Sequence, residues 1–180
     1  MSQTDITKTC ELGNVLITGG AGFVGKNFVK TLLDRGYKVR SLDLIETPIK
    51  HKNLKVIKGD IRDAVLIRKA VKGIDTIFHT AAVIEMKGGP AATKEYRDFS
   101  YSINVEATKQ LVILARALGV KRFVYTSSNS VVLAGKPLRG ADETQPYTKR
   151  RRDLYTETKV IAEQWVLEQN GVDQMLTCAI

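Results

Sequence analysis

Apolar positions in this chain fall into short continuous runs, with longer stretches of helical spacing between them. Val15-Leu16-Ile17-Thr18 is continuous and β-branched, and reads as a strand buried on both faces. Across residues 23–35 the apolar positions are Phe23, Phe28, Val29, Leu32 and Leu33, a helical rhythm that Gly36 stops. Residues 38–42, closed by Asp43, predict a second strand, and residues 54–58 a third. A helix is predicted over 64–71, with Gly73 as its stop, then a fourth strand over 75–79. Residues 83–99, containing Gly88-Gly89-Pro90, read as a long connection over the ligand side of the sheet. Ile103, Val105, Ala107, Leu111, Val112, Leu114 and Leu118 predict a helix over 101–118, ended by Gly119. A fifth strand follows over 121–127, a helix over 153–169 ending at Gly171, and a last strand over 173–180. This alternation predicts an α/β fold with a doubly wound parallel sheet, order 3-2-1-4-5-6.

Length and composition narrow the picture without redirecting it. At 180 residues the chain is one domain with material for a sizeable core, and 43% apolar content is ordinary for a globular protein. No run approaches the roughly 18 apolar residues of a spanning helix, so no membrane span is expected. Residues 1–12 are polar and lack the apolar centre of a signal peptide, which predicts a flexible leader, a domain over 13–180 and a cytoplasmic location. Cys10 and Cys178 are too few and too far apart for a disulfide framework or a zinc site. Cys178 reads as a buried small hydrophobe. Of the two histidines, His79 sits inside a strand and reads as a core or supporting residue, and His51 as an exposed loop residue, so no metal is expected. The net charge of +9 raises the question of nucleic acid. The charges are scattered, apart from Lys149-Arg150-Arg151-Arg152, which reads as a solvated loop face, and no nucleic-acid partner is expected.

The chemistry begins at NVLITGGAGFVG, residues 14–25. A strand, a glycine turn and a helix in that order form the opening of a dinucleotide-binding βαβ unit. Gly19 permits the tight turn, Gly22 lets a pyrophosphate approach the backbone, and Gly25 lets the helix pack closely. The phosphates then meet the N–H groups and positive dipole end of the helix. Asp43 lies 18 positions beyond Gly25, near the roughly 20 expected of an acid that bonds the ribose hydroxyls. A carboxylate there repels a 2′-phosphate, so NAD is expected rather than NADP; Arg40 is the one nearby residue that suits the phosphate form. Asp60, just past the third strand, reads either as an acceptor for the adenine amino group or as the cap of the helix near Asp63. Thr80-Ala81-Ala82 supplies small residues on which a flat cofactor can lie.

Tyr155 and Lys159 stand four apart on the 153–169 helix and share a face. An ammonium about 4 Å from a phenol, at an effective dielectric of about 20, favours the phenolate by up to roughly 4 kcal/mol. That corresponds to about three pH units and brings a phenol of ordinary pKa about 10 near the working range of a general base. Ser128 lies where a strand end delivers hydroxyls to the ligand side and is placed to orient a substrate oxygen. Asn104 is a polar residue in the 101–118 helix.

Taken with Asp43, the segments TGGAGFVG (18–25), GDI (59–61), HTAA (79–82), YTSSNSVV (125–132) and YTETK (155–159) resemble the extended short-chain dehydrogenase/reductase family. Within it the chain is most similar to the 3β-hydroxysteroid dehydrogenase branch, in particular its actinobacterial members. The resemblance spans nearly all of residues 12–180 and implies a Rossmann fold with NAD. It implies Ser128, Tyr155 and Lys159 as catalytic residues, supported by Asn104, with Thr126 and Ser127 as neighbouring hydroxyls. It further implies cofactor contacts at Gly19, Gly22, Phe23, Val24, Gly25, Asp43, Asp60, Ile61, Thr80, Ala81, Ala82, Tyr155 and Lys159. A sterol such as cholesterol is the implied substrate, with Δ5-to-Δ4 isomerisation, and a homodimer through the helices 101–118 and 153–169. Nucleotide-sugar epimerases or dehydratases and sterol-4α-carboxylate dehydrogenases share these residues, and a non-catalytic NAD-binding module is a reading of another class. Family members continue past their sixth strand into a region that forms most of the substrate pocket. The expectation is therefore a nucleotide-binding part with its substrate region missing, binding NAD weakly and turning over little.

Overall fold

Six parallel strands pair in the order β3-β2-β1-β4-β5-β6. They are β1 (Val15–Thr18), β2 (Val39–Asp43), β3 (Leu54–Lys58), β4 (Thr76–His79), β5 (Arg122–Tyr125) and β6 (Leu176–Ala179). The computed structural model describes residues 11–84, 93–133, 135, 137–149 and 153–180. The helices are α1 (Phe23–Asp34), α2 (Ala64–Val71), α3 (Lys94–Tyr101), α4 (Thr108–Ala117) and α5 (Leu154–Glu168). The predicted strand order is the observed one. Residues 1–10 of the expected leader lie outside the described residues. Leu12 already packs on the core, and its carbonyl accepts the Thr76 hydroxyl at 2.7 Å.

The continuous apolar run of β1 has the reason expected of it, because helices cover both faces. On one face Val15, Ile17 and Val39 meet Val29, Leu32 and Leu33 of α1. On the other, Leu16, Leu42, Ile77 and Phe123 meet Ile67 of α2, Leu111 of α4 and Val166 of α5. Each such side chain, fully buried, contributes about 1.5–3 kcal/mol.

Three sequence expectations need correction. The helix expected to start at residue 101 starts at Lys94, capped by Thr93, whose hydroxyl accepts the Tyr96 N–H. Its first two turns, KEYRDFSY, are a polar surface helix with no apolar stripe to announce them. It continues through a widened π-helical stretch, Ser102–Ala107, into α4. The Gly88-Gly89-Pro90 segment lies outside the described residues. Cys178 is exposed, not buried. It stands opposite Val124 on the face where α1 covers β1 and β2 and reaches β4 through Phe28 on Phe78, but not β6. Leu176, two residues earlier on that face, is 58% exposed. Asp60 is not the cap of α2; Asp63 is, accepting the N–H groups of Val65 and Leu66.

Candidate active site

The chain order reverses between β1 and β4, and there the strand ends open a cleft. Its volume is about 190 Å³, and Gly19, Gly22, Asp43, Asp60, Ile61, Thr80, Ala81 and Ala82 line it. Eight of the expected cofactor residues thus come together. Leu42, Leu44, Gly59, Val83 and Ile103 also line it and were not singled out from the sequence.

The glycines divide by role. Gly19 has φ +71°, and a Cβ there would stand 2.7 Å from the Ala81 nitrogen. At Gly25 a Cβ would meet the Gly19 carbonyl oxygen and two further backbone atoms below 3.0 Å, so this glycine lets α1 close onto the turn. Gly20 escaped the sequence reading, yet a Cβ on it would collide with the Ser41 hydroxyl. Gly22 differs: only the Gly19 oxygen, at 3.2 Å, comes near its missing side chain. That contact is tight but is the one the chain makes there, and Gly22 lines the cleft. The N-terminus of α1 has no capping side chain and no acid in its first turn, which leaves its N–H groups free for an anion. Phe23 and Val24 point to solvent, 85% and 45% exposed, and do not line the cleft.

Asp43 accepts the Ala21 N–H through Oδ2 at 3.0 Å, which fixes the carboxylate in the cleft wall. Arg40 lies on the opposite face of β2 and donates to carbonyls at the end of α2, among them Ala70 and Lys72. It is therefore not placed to serve a 2′-phosphate. Asp60 is held below its usual range, first by the side-chain hydrogen bond from Arg62. Arg62 in turn lies over the Phe99 ring, 5.4 Å from its centroid. A diphosphate dinucleotide with an unphosphorylated ribose fits this residue set.

Past the end of β5 a second group assembles. Asp153 caps α5 and accepts the Thr156 N–H at 2.6 Å, which orients the first turn carrying Tyr155. Tyr155 is half-buried and hydrogen-bonds with Ser128. Ser128 Oγ also accepts the Ser130 N–H at 3.2 Å. Lys159 is 4% exposed; its Nζ donates to the Thr126 carbonyl at 2.5 Å and lies 5.9 Å from the centre of the Tyr155 ring. The three residues converge. Burial pushes the Tyr155 phenol up, the Ser128 hydrogen bond pulls it down, and Asp153 raises it again. The lowering expected from Lys159 is not found; its ammonium bonds the Thr126 carbonyl and lies over the face of Tyr125, 4.2 Å from that ring's centroid. Burial brings Lys159 down to about 8, with Glu163 acting against it.

Asn104 is not a surface position. It is 2% exposed, and its side chain both accepts the Val83 N–H at 2.8 Å and donates to the Val83 carbonyl at 2.9 Å. Its Nδ2 also reaches Thr158, next to Lys159, at 3.0 Å. It therefore ties the cleft wall to α5. His79 is a core residue, bonded to Thr18 at 2.6 Å and Thr108 at 2.8 Å, and burial pushes it down to about 3. His51 is exposed, as expected. Among the described residues no His, Cys, Asp and Glu cluster could hold a metal, and no helix is long and apolar enough to cross a membrane.

A family model described as the 3-beta hydroxysteroid dehydrogenase/isomerase family matches residues 16–180. The chain is 59% identical to a 3 beta-hydroxysteroid dehydrogenase/Delta 5→4-isomerase of Mycobacterium tuberculosis, over 98% of this chain and 48% of that protein. It is 33% identical to a mouse (Mus musculus) decarboxylating sterol-4-alpha-carboxylate 3-dehydrogenase, over 91% of this chain and 43% of that one. The chain thus spans about half the length of the curated relatives it matches. Among solved structures it resembles a short-chain dehydrogenase/reductase superfamily protein from Agrobacterium tumefaciens with bound NAD. The TM-score is 0.79 and the identity 28%, over 92% of this chain and 48% of that one.

Proposed function

The chain belongs to the 3-beta hydroxysteroid dehydrogenase/isomerase family, and from that premise we propose that residues 13–180 form the nucleotide-binding domain of an NAD-dependent oxidoreductase that converts a 3β-hydroxysteroid to the 3-ketosteroid. The observation that carries the proposal is the convergence of Ser128, Tyr155 and Lys159 beyond the end of β5, tied to the cleft through Asn104. Gly19, Gly22 and the start of α1 would hold the diphosphate of NAD. Asp43 would take the ribose hydroxyls, Asp60 and Ile61 the adenine side, and Thr80-Ala81-Ala82 the floor toward the nicotinamide. NAD, when bound, supplies the hydride acceptor. Ser128 donates a hydrogen bond to the substrate hydroxyl oxygen, and Tyr155 takes that hydroxyl's proton as general base. Lys159 would hold the nicotinamide ribose beside the phenol. Tyr155 is half-buried and its phenol pushed up, so proton removal is favoured by alkaline pH.

A homodimer is part of the same reading, since α4 and α5 leave Ile113 and Leu167 exposed; sedimentation velocity checks it. So is a cytoplasmic location. The test of function is a substrate panel with NAD, following NADH with a 3β-hydroxysterol, a sterol-4α-carboxylate and UDP-sugars. NADH with the 3β-hydroxysterol is the expected result. NADH formed with a UDP-sugar alone, or a clear preference for NADP, would overturn it.

A further inference from the structure

Glu163 lies one turn beyond Lys159 and two beyond Tyr155 on the same face of α5. It is only 9% exposed, and a buried carboxylate persists where hydrogen bonds and a partner charge compensate it. Both of its oxygens are engaged. The Ser127 hydroxyl donates to Oε2, and the Tyr147 hydroxyl donates to Oε1 at 3.0 Å. Neither donor carries a charge.

The buried cation on this face is Lys159. Among the described residues, the groups that face it come from several elements. Tyr155 and Glu163 come from its own helix, the Tyr125 ring and the Thr126 carbonyl from β5 and its end, and His79, buried and uncharged, from β4. Glu163 is the one carboxylate among these. Ser127 precedes Ser128 directly, and Tyr147 belongs to the segment whose Thr148 N–H bonds the Val131 carbonyl at 2.7 Å. One side chain therefore touches the strand end that carries Ser128 and the segment leading into α5, and stands within electrostatic reach of Lys159.

We propose that Glu163 is a positioning residue: its charge holds the Lys159 ammonium inside the fold, and its two oxygens fix the Ser127 strand end and the Tyr147 segment around Tyr155. The proposal rests on the roles given above to Tyr155 and Lys159 and adds a residue to them. The pull of Glu163 on Lys159, opposite in sign to that of burial, agrees with it. So does the Tyr147 phenol, pushed up to about 12 by burial and then by Glu163.

The experiment is an NMR titration of the Lys159 Nζ resonance in the ligand-free protein, assigned by its loss in Lys159→Met. The wild-type midpoint is expected near pH 8. In Glu163→Gln it should fall by roughly one to two pH units, as for loss of one charge from an i,i+4 pair whose Cβ atoms are about 5–6 Å apart, at an effective dielectric of about 20. Glu163→Asp keeps the charge and should hold the midpoint close to wild type. If Glu163→Gln does not fold, Glu163→Met removes the charge while filling the same space with apolar atoms. A midpoint unmoved in the Gln or Met variant overturns the proposal, as does an equal fall in the Asp variant. NAD takes no part in this readout. Calorimetry of NAD binding to Lys159→Met therefore tests the cofactor role of Lys159 separately: unchanged affinity would end that role while leaving the coupling to Glu163 intact.

Discussion

Replacing Lys159 by Met measures what the buried ammonium costs the fold. Lys159 is 4% exposed, and burial brings it from an ordinary 10.5 down to about 8. Below about pH 8 the amine is protonated in both folded and unfolded chains, and the cost of burying its charge is present in full. Between about pH 8 and 10.5 the folded protein releases the proton while the unfolded chain still holds it, so stability rises with pH. The interval is about 2.5 pH units, which at about 1.4 kcal/mol each is about 3 kcal/mol. Tyr125, Tyr147 and Tyr155 all have raised values and pull stability down above about pH 10. They are present in both proteins and cancel in the difference. The assay is urea unfolding of wild type and Lys159→Met at steps from pH 7 to 10.5. The stability of wild type relative to the variant should climb by about 3 kcal/mol across that range. A flat difference would mean that Lys159 titrates in the fold as it does in the unfolded chain, and the buried-cation account would be wrong.

Tyr155→Phe removes the general base but none of the cleft lining, so turnover should disappear while calorimetric NAD affinity stays within about twofold. Gly25→Ala sets a methyl against the Gly19 carbonyl and the Gly20 Cα; thermal unfolding should show a loss of about 1–3 kcal/mol or more, with NAD binding lost alongside. Asn104→Ala strips Val83 of both backbone partners and Thr158 of one. It should cost about 3 kcal/mol and weaken NAD binding, since Val83 lines the cleft. Asp43→Ser should narrow the preference for NAD over NADP, read as the ratio of the two dissociation constants.

Strand order and the nucleotide end of the site could be read from residues alone because both rest on local rules. A run such as Val15-Leu16-Ile17-Thr18 is apolar only if both faces are covered. The Gly19–Gly25 turn and Asp43 follow from the spacing that a diphosphate and a ribose impose on one βαβ unit. The start of α3 was not readable, because Lys94 to Tyr101 gains its order from Thr93 and surface contacts rather than from an apolar stripe. Gly20 gave no signal either, since its constraint comes from Ser41, which is distant in sequence.

Sequence by itself determined the sheet, its crossover and which residue types stand at the strand ends, since hydrophobic period and glycine spacing act over a few residues. Only the tertiary structure decided what those side chains do to one another. It turned Arg40 away from the cleft, buried Asn104 as a clamp on Val83 and left Cys178 on an uncovered face. It raised the Tyr155 phenol where an i,i+4 lysine alone predicts lowering, and brought Glu163 to Ser127 and Tyr147. The physical reason is common to all of these. Burial and charge balance depend on atoms brought together from distant parts of the chain, and no local period encodes them.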